Sequence, residues 1–505
     1  MQFVVFAAFV IVLSVPDSGA PWTTLTSPLW MWFAVVGQVL AVTVVAAMSA
    51  RRVMVKLDRE PAWLAGAHQA LARGHGAIRI VLVAGLAASV YGTNWAERVR
   101  SLALIQPIYG LDELVILMPF FVAMFVSWVV LYPADRAIRQ VSLEHRLWLS
   151  EPTRPVWGLK AYLSSMLRHH VLVISLPMVL IVAVNDFVSP QHFGPVIRKA
   201  TGVIWADQAV LVMVAGLVFL VAPIMLKYIW QTRRLPRGPL RDRLEALCRR
   251  VGLTYRDILI WQSDGMVVNA AVMGLMKPVR YILLSDGLLE TMEDERIEAV
   301  FGHEAGHVKH MHIPFYLLFA IVSMLIVGGI SELVMRFCPD LIIDRAHTRD
   351  YLQVFAMAMI VVLWGVGFGI VSRRFELQAD LFGARSVTPA SEACRQPCVV
   401  HGTAVVSNAS GQSSRPLCAT AASLFADSLR RIAELNGIPI DARSWRHSSI
   451  ANRIQLLKQY AVDPTLSTRL ERGVLIIKVV LLIGTIIGLA IGAWLYWPRQ
   501  WNFWE

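Results

Sequence analysis

Long apolar stretches alternate with polar, basic connections along most of this 505-residue chain. Crossing a bilayer core takes about 20 mostly apolar residues in a helix. By that measure spans are expected at 1–16, 28–49, 77–93, 111–132, 170–187, 207–230, 314–337, 351–372 and 473–497. Two longer hydrophilic segments, 231–313 and 373–472, interrupt them. The expected organisation is therefore an N-terminal transmembrane region (1–230), a first hydrophilic segment (231–313), a transmembrane hairpin (314–372), a second hydrophilic segment (373–472) and a final helix with its tail (473–505).

Inside the first hydrophilic segment the period changes. TYRDILIWQSDGMVVNAAVMG (254–274) and VRYILLSDGLL (279–289) form short strand-like runs separated by Ser-Asp-Gly and Lys-Pro turn signals. They predict a small antiparallel sheet. MEDERIEAVF (292–301) then starts acidic and turns apolar at helical spacing, as a helix N-terminus does.

Composition agrees with a membrane protein: 56% of residues are hydrophobic and 16% charged, against about a quarter charged in soluble domains. A formal net charge of +12 would suit nucleic acid, but the Lys and Arg residues concentrate beside the apolar segments. Loop 50–76 carries Arg51, Arg52, Lys56, Arg59 and Arg73, and loop 133–169 carries Arg136, Arg139, Arg146, Arg154, Lys160 and Arg168. The intervening loops are poor in both. Positive-inside topology accounts for this alternation and places 231–313 and 373–472 on the cytoplasmic side; no nucleic-acid partner is expected. Met1 to Val15 lacks the basic start and small-residue cleavage site of a signal peptide and reads as an uncleaved first span, with removal after about Ala20 as the competing reading. Five cysteines, Cys248, Cys338, Cys394, Cys398 and Cys418, imply no disulfide framework.

The candidate chemistry lies in IEAVFGHEAGHVKHMH (297–312), which contains His303, Glu304 and His307 in the spacing H-E-x-x-H. Residues four apart share a helix face, so both imidazoles reach one cation while Glu304 stands beside it. That arrangement suits a zinc ion, which acidifies water for a carboxylate base, the chemistry of peptide hydrolysis. Gly302 and Gly306 are poor helix formers, and their small size predicts close packing against a second ligand helix. A suitable helix follows in SRRFELQADLFGARSV (372–387), where Glu376 and Asp380 again lie four apart. Glu376 completes a His₂Glu set with a coordination position left for water, and Asp380 is placed to orient a ligand histidine. His310 and His312 fall off the i, i+4 pair and are expected at the membrane interface.

These residues resemble the membrane zinc metallopeptidases that include CAAX prenyl protease 1 and the HtpX-like enzymes. The resemblance is carried by NAAVMG (269–274), LLSDGLLE (283–290), AVFGHEAGHVKHMH (299–312), SRRFELQADLFGA (372–384) and HSSIANRI (447–454), in the family's order. It covers roughly the C-terminal half, and the extra early spans favour the prenyl-protease branch. It implies one catalytic zinc held by His303, His307 and Glu376, Glu304 as general base, and Asp380 as the carboxylate behind a ligand. It also implies Asn269 at a substrate-binding strand, with His447 stabilising an oxyanion and Arg453 pairing with a carboxylate. Taken alone, His447 and Arg453 read as ordinary surface residues; their spacing within a matching segment is what raises them.

The chain departs from that pattern in two places. Ser448 follows His447 where the family usually has proline, and residues 386–420 form an inserted Ser/Thr/Ala/Pro-rich stretch. The insert holds Cys394, Cys398, His401 and Cys418, whose spacing is a poor zinc-ribbon match, so free thiols are the expectation. The sequon at Asn408 lies on the expected cytoplasmic side.

The fold expected is mainly α, a polytopic membrane bundle of about nine spans bearing a cytoplasmic-side, zincin-like catalytic domain with a small sheet. The function expected is zinc-dependent endopeptidase action on peptide or protein substrates, either lipidated CAAX-like peptides or membrane-bound proteins in quality control. The alternative is a non-catalytic membrane transporter or scaffold with a structural metal. Glu304 speaks against the alternative, because a closed structural site has no use for a base.

Overall fold

The computed structural model describes residues 1–15, 25–59, 64–102, 108–148, 156–189, 192–202, 206–263, 265, 267–337, 356, 359–360, 362–387, 416–442 and 446–496. The chain forms two compact units, one of Met1–Thr232 with Trp261–Asp264, the other of Arg233–Ile260 with Gly265–Glu505.

The first unit is helical and holds five of the seven described helices long and apolar enough to cross a membrane: Pro28–Leu57, Gly66–Gly92, Met118–Glu144, Leu159–Phe187 and Ala206–Ile229. Several begin earlier or run further than their apolar stretches, so the expected loop 50–76 is largely helix, with helices Pro28–Arg59 and Leu64–Gly92 on either side of its middle. Leu29, Trp32, Phe33, Val36 and Leu40 lie exposed on one helix, a surface suited to lipid tails and costly in water. The expected first span is shorter than a crossing. Helix Gln2–Leu13 extends about 18 Å at about 1.5 Å per residue, against a hydrocarbon core of about 30 Å. Val5, Ala8, Phe9 and Val12 on it are instead buried in the unit's core beside Phe120 and Trp128.

The second unit contains the other two membrane-length helices, His312–Val334 and Pro464–Gly492, and the sheet. Strands β1 (Arg233–Arg234), β2 (Asp257–Trp261), β3 (Ala270–Met273) and β4 (Tyr281–Ser285) lie in the order β1-β2-β4-β3. The outer pairs β1·β2 and β3·β4 are antiparallel. The sheet as a whole is mixed rather than antiparallel as the turn signals suggested, because β3 folds back on the outside of β4 and leaves β2 and β4 as central neighbours. Ile258, Ile282, Leu284 and Leu288 form a core with Leu244, Leu247 and Phe301. Ser285 ends β4 and caps the next short helix by accepting the Leu288 N–H at 3.1 Å.

That core seats helix Asp294–Lys309, which carries His303, Glu304 and His307, with Asp294 and Glu295 in its first turn. Helix Gly369–Ser386, carrying Glu376 and Asp380, follows a π-helical turn at Leu363–Phe368. Residues 351–355, 357–358 and 361 of the expected span 351–372 lie outside the described residues, as do Cys338, Cys394, Cys398, His401, Asn408 and the end of the chain beyond 496. Cys418 is described and buried.

The two site-bearing helices meet through glycines. A Cβ on Gly306 would stand 3.1 Å from the Ala379 Cα, and one on Gly302 3.2 Å from the Gly383 Cα and closer still to the Ser386 hydroxyl. A Cβ on Gly383 would approach the His303 backbone nitrogen at 2.8 Å. Backbone cannot yield as a flexible side chain can, so Gly383→Ala is expected to destabilise the protein by roughly 1–3 kcal/mol. A lowered thermal midpoint of the purified protein checks this.

Candidate metal centre

One helical turn separates His303 from His307, and their Nε2 atoms lie 3.2 Å apart with the rings at 80°. Glu376 comes from the facing helix, its Oε2 at 3.6 Å from His303 Nε2 and its Oε1 at 3.6 Å from His307 Nε2. Among the described residues these three form the one group of His, Cys, Asp or Glu whose donor atoms all lie within 4.8 Å of one another. A tetrahedral ion with bonds of about 2.0–2.1 Å has ligand-to-ligand edges of about 3.3 Å. The observed separations therefore fit one small cation, with two nitrogens and a carboxylate as the donor set.

The three candidate donor side chains are themselves held. Asp380, one turn beyond Glu376, places Oδ1 at 2.8 Å from His303 Nδ1, which fixes the ring and leaves Nε2 to face the centre. Arg453, from helix Ile450–Val462, grips the same carboxylate with Nε at 2.7 Å and Nη2 at 2.5 Å. Asp380 and Arg453 are both buried. Burial opposes ionisation of Asp380, but Arg453 and the His303 hydrogen bond hold its carboxyl below the usual range. On His303 burial acts downward, and Asp380 with Glu376 outweighs it and raises the imidazole. Burial likewise opposes the Glu376 carboxylate, which is nonetheless held well below its ordinary value by a hydrogen bond from His447 and by His303 and His307. His447 Nδ1 lies 3.1 Å from Glu376 Oε2, and the His447 side chain is 43% exposed, open to a ligand on its other side. For His307, burial and the neighbouring His303 push the imidazole down to about 3, keeping it neutral and able to ligate.

Glu304 lies beside this cluster without belonging to the three-ligand set. Burial pushes its carboxyl up to about 7 despite the attraction of His303, and a backbone hydrogen bond from Val272 on β3 partly offsets that rise. β3 is an outer strand of the sheet, so its second edge faces away from β4. Asn269 sits just before β3 with its side chain exposed; its backbone exchanges two hydrogen bonds with Ser285, each 3.0 Å.

The residue that helical spacing misplaced is His312. It is fully buried, with Nδ1 at 2.9 Å from His307 Nδ1. The reason is a break in the helix: Lys309 is its last residue, Met311 has φ +55°, and His312 starts the next helix. A helical wheel extended through residue 311 sends His312 to the wrong side, and no motif marks Met311 as the turning point.

Removing Arg453 would leave Asp380 buried with one partner fewer. Arg453→Met is expected to cost about 3–5 kcal/mol, seen as a large fall in the thermal midpoint. Because the folded Asp380 titrates below its ordinary value, the stability it contributes is complete above about pH 4. It is lost as pH falls through the folded value, so the midpoint of the native protein should decline on that acid limb.

Residues 235–461 match the model of peptidase family M48. The chain is 28% identical over 195 residues to a CAAX prenyl protease 1 homolog of Arabidopsis thaliana, covering 36% of this chain and 44% of that protein. It is 30% identical over 165 residues to Protease HtpX of Xanthomonas euvesicatoria pv. vesicatoria (strain 85-10), covering 30% of this chain and 54% of that one. The chain thus spans about half the length of these relatives. A crystal structure of S. mikatae Ste24p is similar over 86% of this chain and 99% of that chain, with a TM-score of 0.45 and 14% identity. The segment that matches peptidase family M48 contains both the H-E-x-x-H helix and the Glu376 helix, and its motifs are similar to that family's.

Proposed function

We propose that this multi-pass membrane protein is a zinc-dependent endopeptidase that cuts peptide bonds at the cytoplasmic face of the membrane. The observation that carries the reading is the convergence of His303, His307 and Glu376, whose donor atoms are spaced like corners of a small tetrahedron, beside a carboxyl group, Glu304, that stands outside that set. Zinc, when bound there, supplies a Lewis acid that acidifies water and polarises a carbonyl.

The chain's own residues do the rest. Glu304 takes the proton of the attacking water and returns it to the departing amine. His303, His307 and Glu376 would hold the ion beside Glu304, and a cation held there would favour the ionised form of that carboxyl. His447, bonded through Nδ1 to Glu376, is placed to stabilise the oxyanion that develops on the substrate carbonyl. Asp380, clamped by Arg453, keeps His303 turned toward the centre. The outer edge of β3 suits an extended substrate added as a further strand, with Asn269 at its entrance and Val272 level with the base.

The cytoplasmic placement rests on the basic residues of loops 50–76 and 133–169. Substrates are peptides or proteins at the bilayer. The prenyl-protease relative supports lipidated C-terminal peptides; membrane-bound or misfolded proteins are the second class.

Glu304→Gln is expected to keep bound metal and to lose roughly 10²–10⁴-fold in peptide cleavage. Cleavage of prenylated and unmodified peptides by the purified protein, with and without chelator, measures this and separates the substrate classes. Undiminished cleavage by Glu304→Gln would overturn the reading.

A further inference from the structure

Resting on the metal-centre reading, we propose that His312 is the positioning partner of His307, and that Gln378 and Lys478 hold it in place, so that cation retention depends on a contact made by the last membrane helix. The argument begins with asymmetry. Of the two ligand histidines, His303 is braced by a carboxylate, whereas the Nδ1 of His307 faces another imidazole.

One set of protons satisfies every distance. With Nε2 of His307 turned to the centre, its Nδ1 carries the hydrogen and donates to Nδ1 of His312 at 2.9 Å. The hydrogen of His312 then sits on Nε2 and is donated to Oε1 of Gln378 at 2.9 Å. The same oxygen lies 3.4 Å from Lys478 Nζ, which also donates to the His310 carbonyl at 2.7 Å. The two imidazoles donate in sequence toward Gln378, Lys478 donates to the same Gln378 oxygen from the other end, and each donor meets an acceptor with a lone pair to offer. His312 and Gln378 are buried, and the His312 ring lies stacked on Phe375 at 4.3 Å and 12°. Lys478 stands 5.2 Å and 5.6 Å from the Phe315 and Phe375 rings.

Lys478 belongs to helix Pro464–Tyr496, amid Leu475, Ile476, Val479 and Val480, all exposed as lipid-facing positions are. An ammonium on a membrane helix is expensive and calls for a specific partner. Its two acceptors, the His310 carbonyl and Gln378, both lie beside the His307–His312 pair. The positive φ at Met311 turns His312 back under His307. A bonded residue behind a ligand histidine fixes its tautomer and typically accounts for 10–100-fold in metal affinity.

The test uses the full chain in detergent, with zinc affinity read by competition against a chromophoric chelator and ligand geometry by the visible spectrum of the Co²⁺-loaded protein. His312→Leu is expected to lower zinc affinity about 10–100-fold and to alter the Co²⁺ spectrum. His312→Asn, whose Oδ1 replaces the accepting Nδ1, should recover most of that loss, a rescue that a packing role would not produce. Lys478→Met should show a smaller loss in the same direction. Wild-type zinc affinity in a folded His312→Leu, or equal impairment of His312→Leu and His312→Asn, would overturn the proposal and leave the metal-centre reading intact. Should His312→Leu fail to fold, wild-type affinity in Lys478→Met would overturn the link to the membrane helix. If the unaltered protein takes up no zinc, the reading and the proposal fall together.

Discussion

The centre depends on how closely two helices approach each other. Three donors can share a small cation only if the facing backbones come near enough for a short Glu side chain to reach two imidazoles across the gap. Gly302, Gly306 and Gly383 provide that approach, since side chains there would strike Ser386, Ala379 and the His303 backbone. Glycine inside a helix lowers its intrinsic stability by about 1 kcal/mol relative to alanine. Burial of Phe301, Phe375, Leu381 and Phe425 around the crossing offsets that cost.

Once the helices are close, electrostatics decides which groups stay charged. Asp380 and Arg453 are buried as a pair, and buried ions persist only when each has a partner and hydrogen bonds. Glu376, also buried, is held by three imidazoles rather than by a guanidinium. The charges nearest the centre are therefore carboxylates with nitrogen donors around them, while the one arginine stands a layer back. A cation entering this set meets a negative centre that the protein has already stabilised.

Much of this was legible in the residues because helical spacing is local. His303 with His307, and Glu376 with Asp380, are pairs four apart, and the glycines between them signalled close packing. Seven of the expected spans correspond to membrane-length helices, since apolar length is read directly from the chain. Other features depend on how distant segments meet. The pairing of β4 with β2 on one side and β3 on the other is set by tertiary contact, so the sheet's mixed character could not be read from alternation. The N-terminal apolar run looked like a span because composition does not reveal that its helix stops at Leu13 and packs inward. His312 was lost at a single left-handed residue, Met311.

That left-handed joint has a consequence for how the protein is divided. The helix of His303 and His307 passes into a membrane-length helix through two residues, His310 and Met311, and the joint's carbonyl is bonded by Lys478, which lies beyond the family-matched stretch ending at 461. The site-bearing helix and the membrane-length helix that follows it are accordingly one mechanical body in this unit. A water-soluble fragment cut at the edges of the homologous region would arrive without a piece of its own foundation.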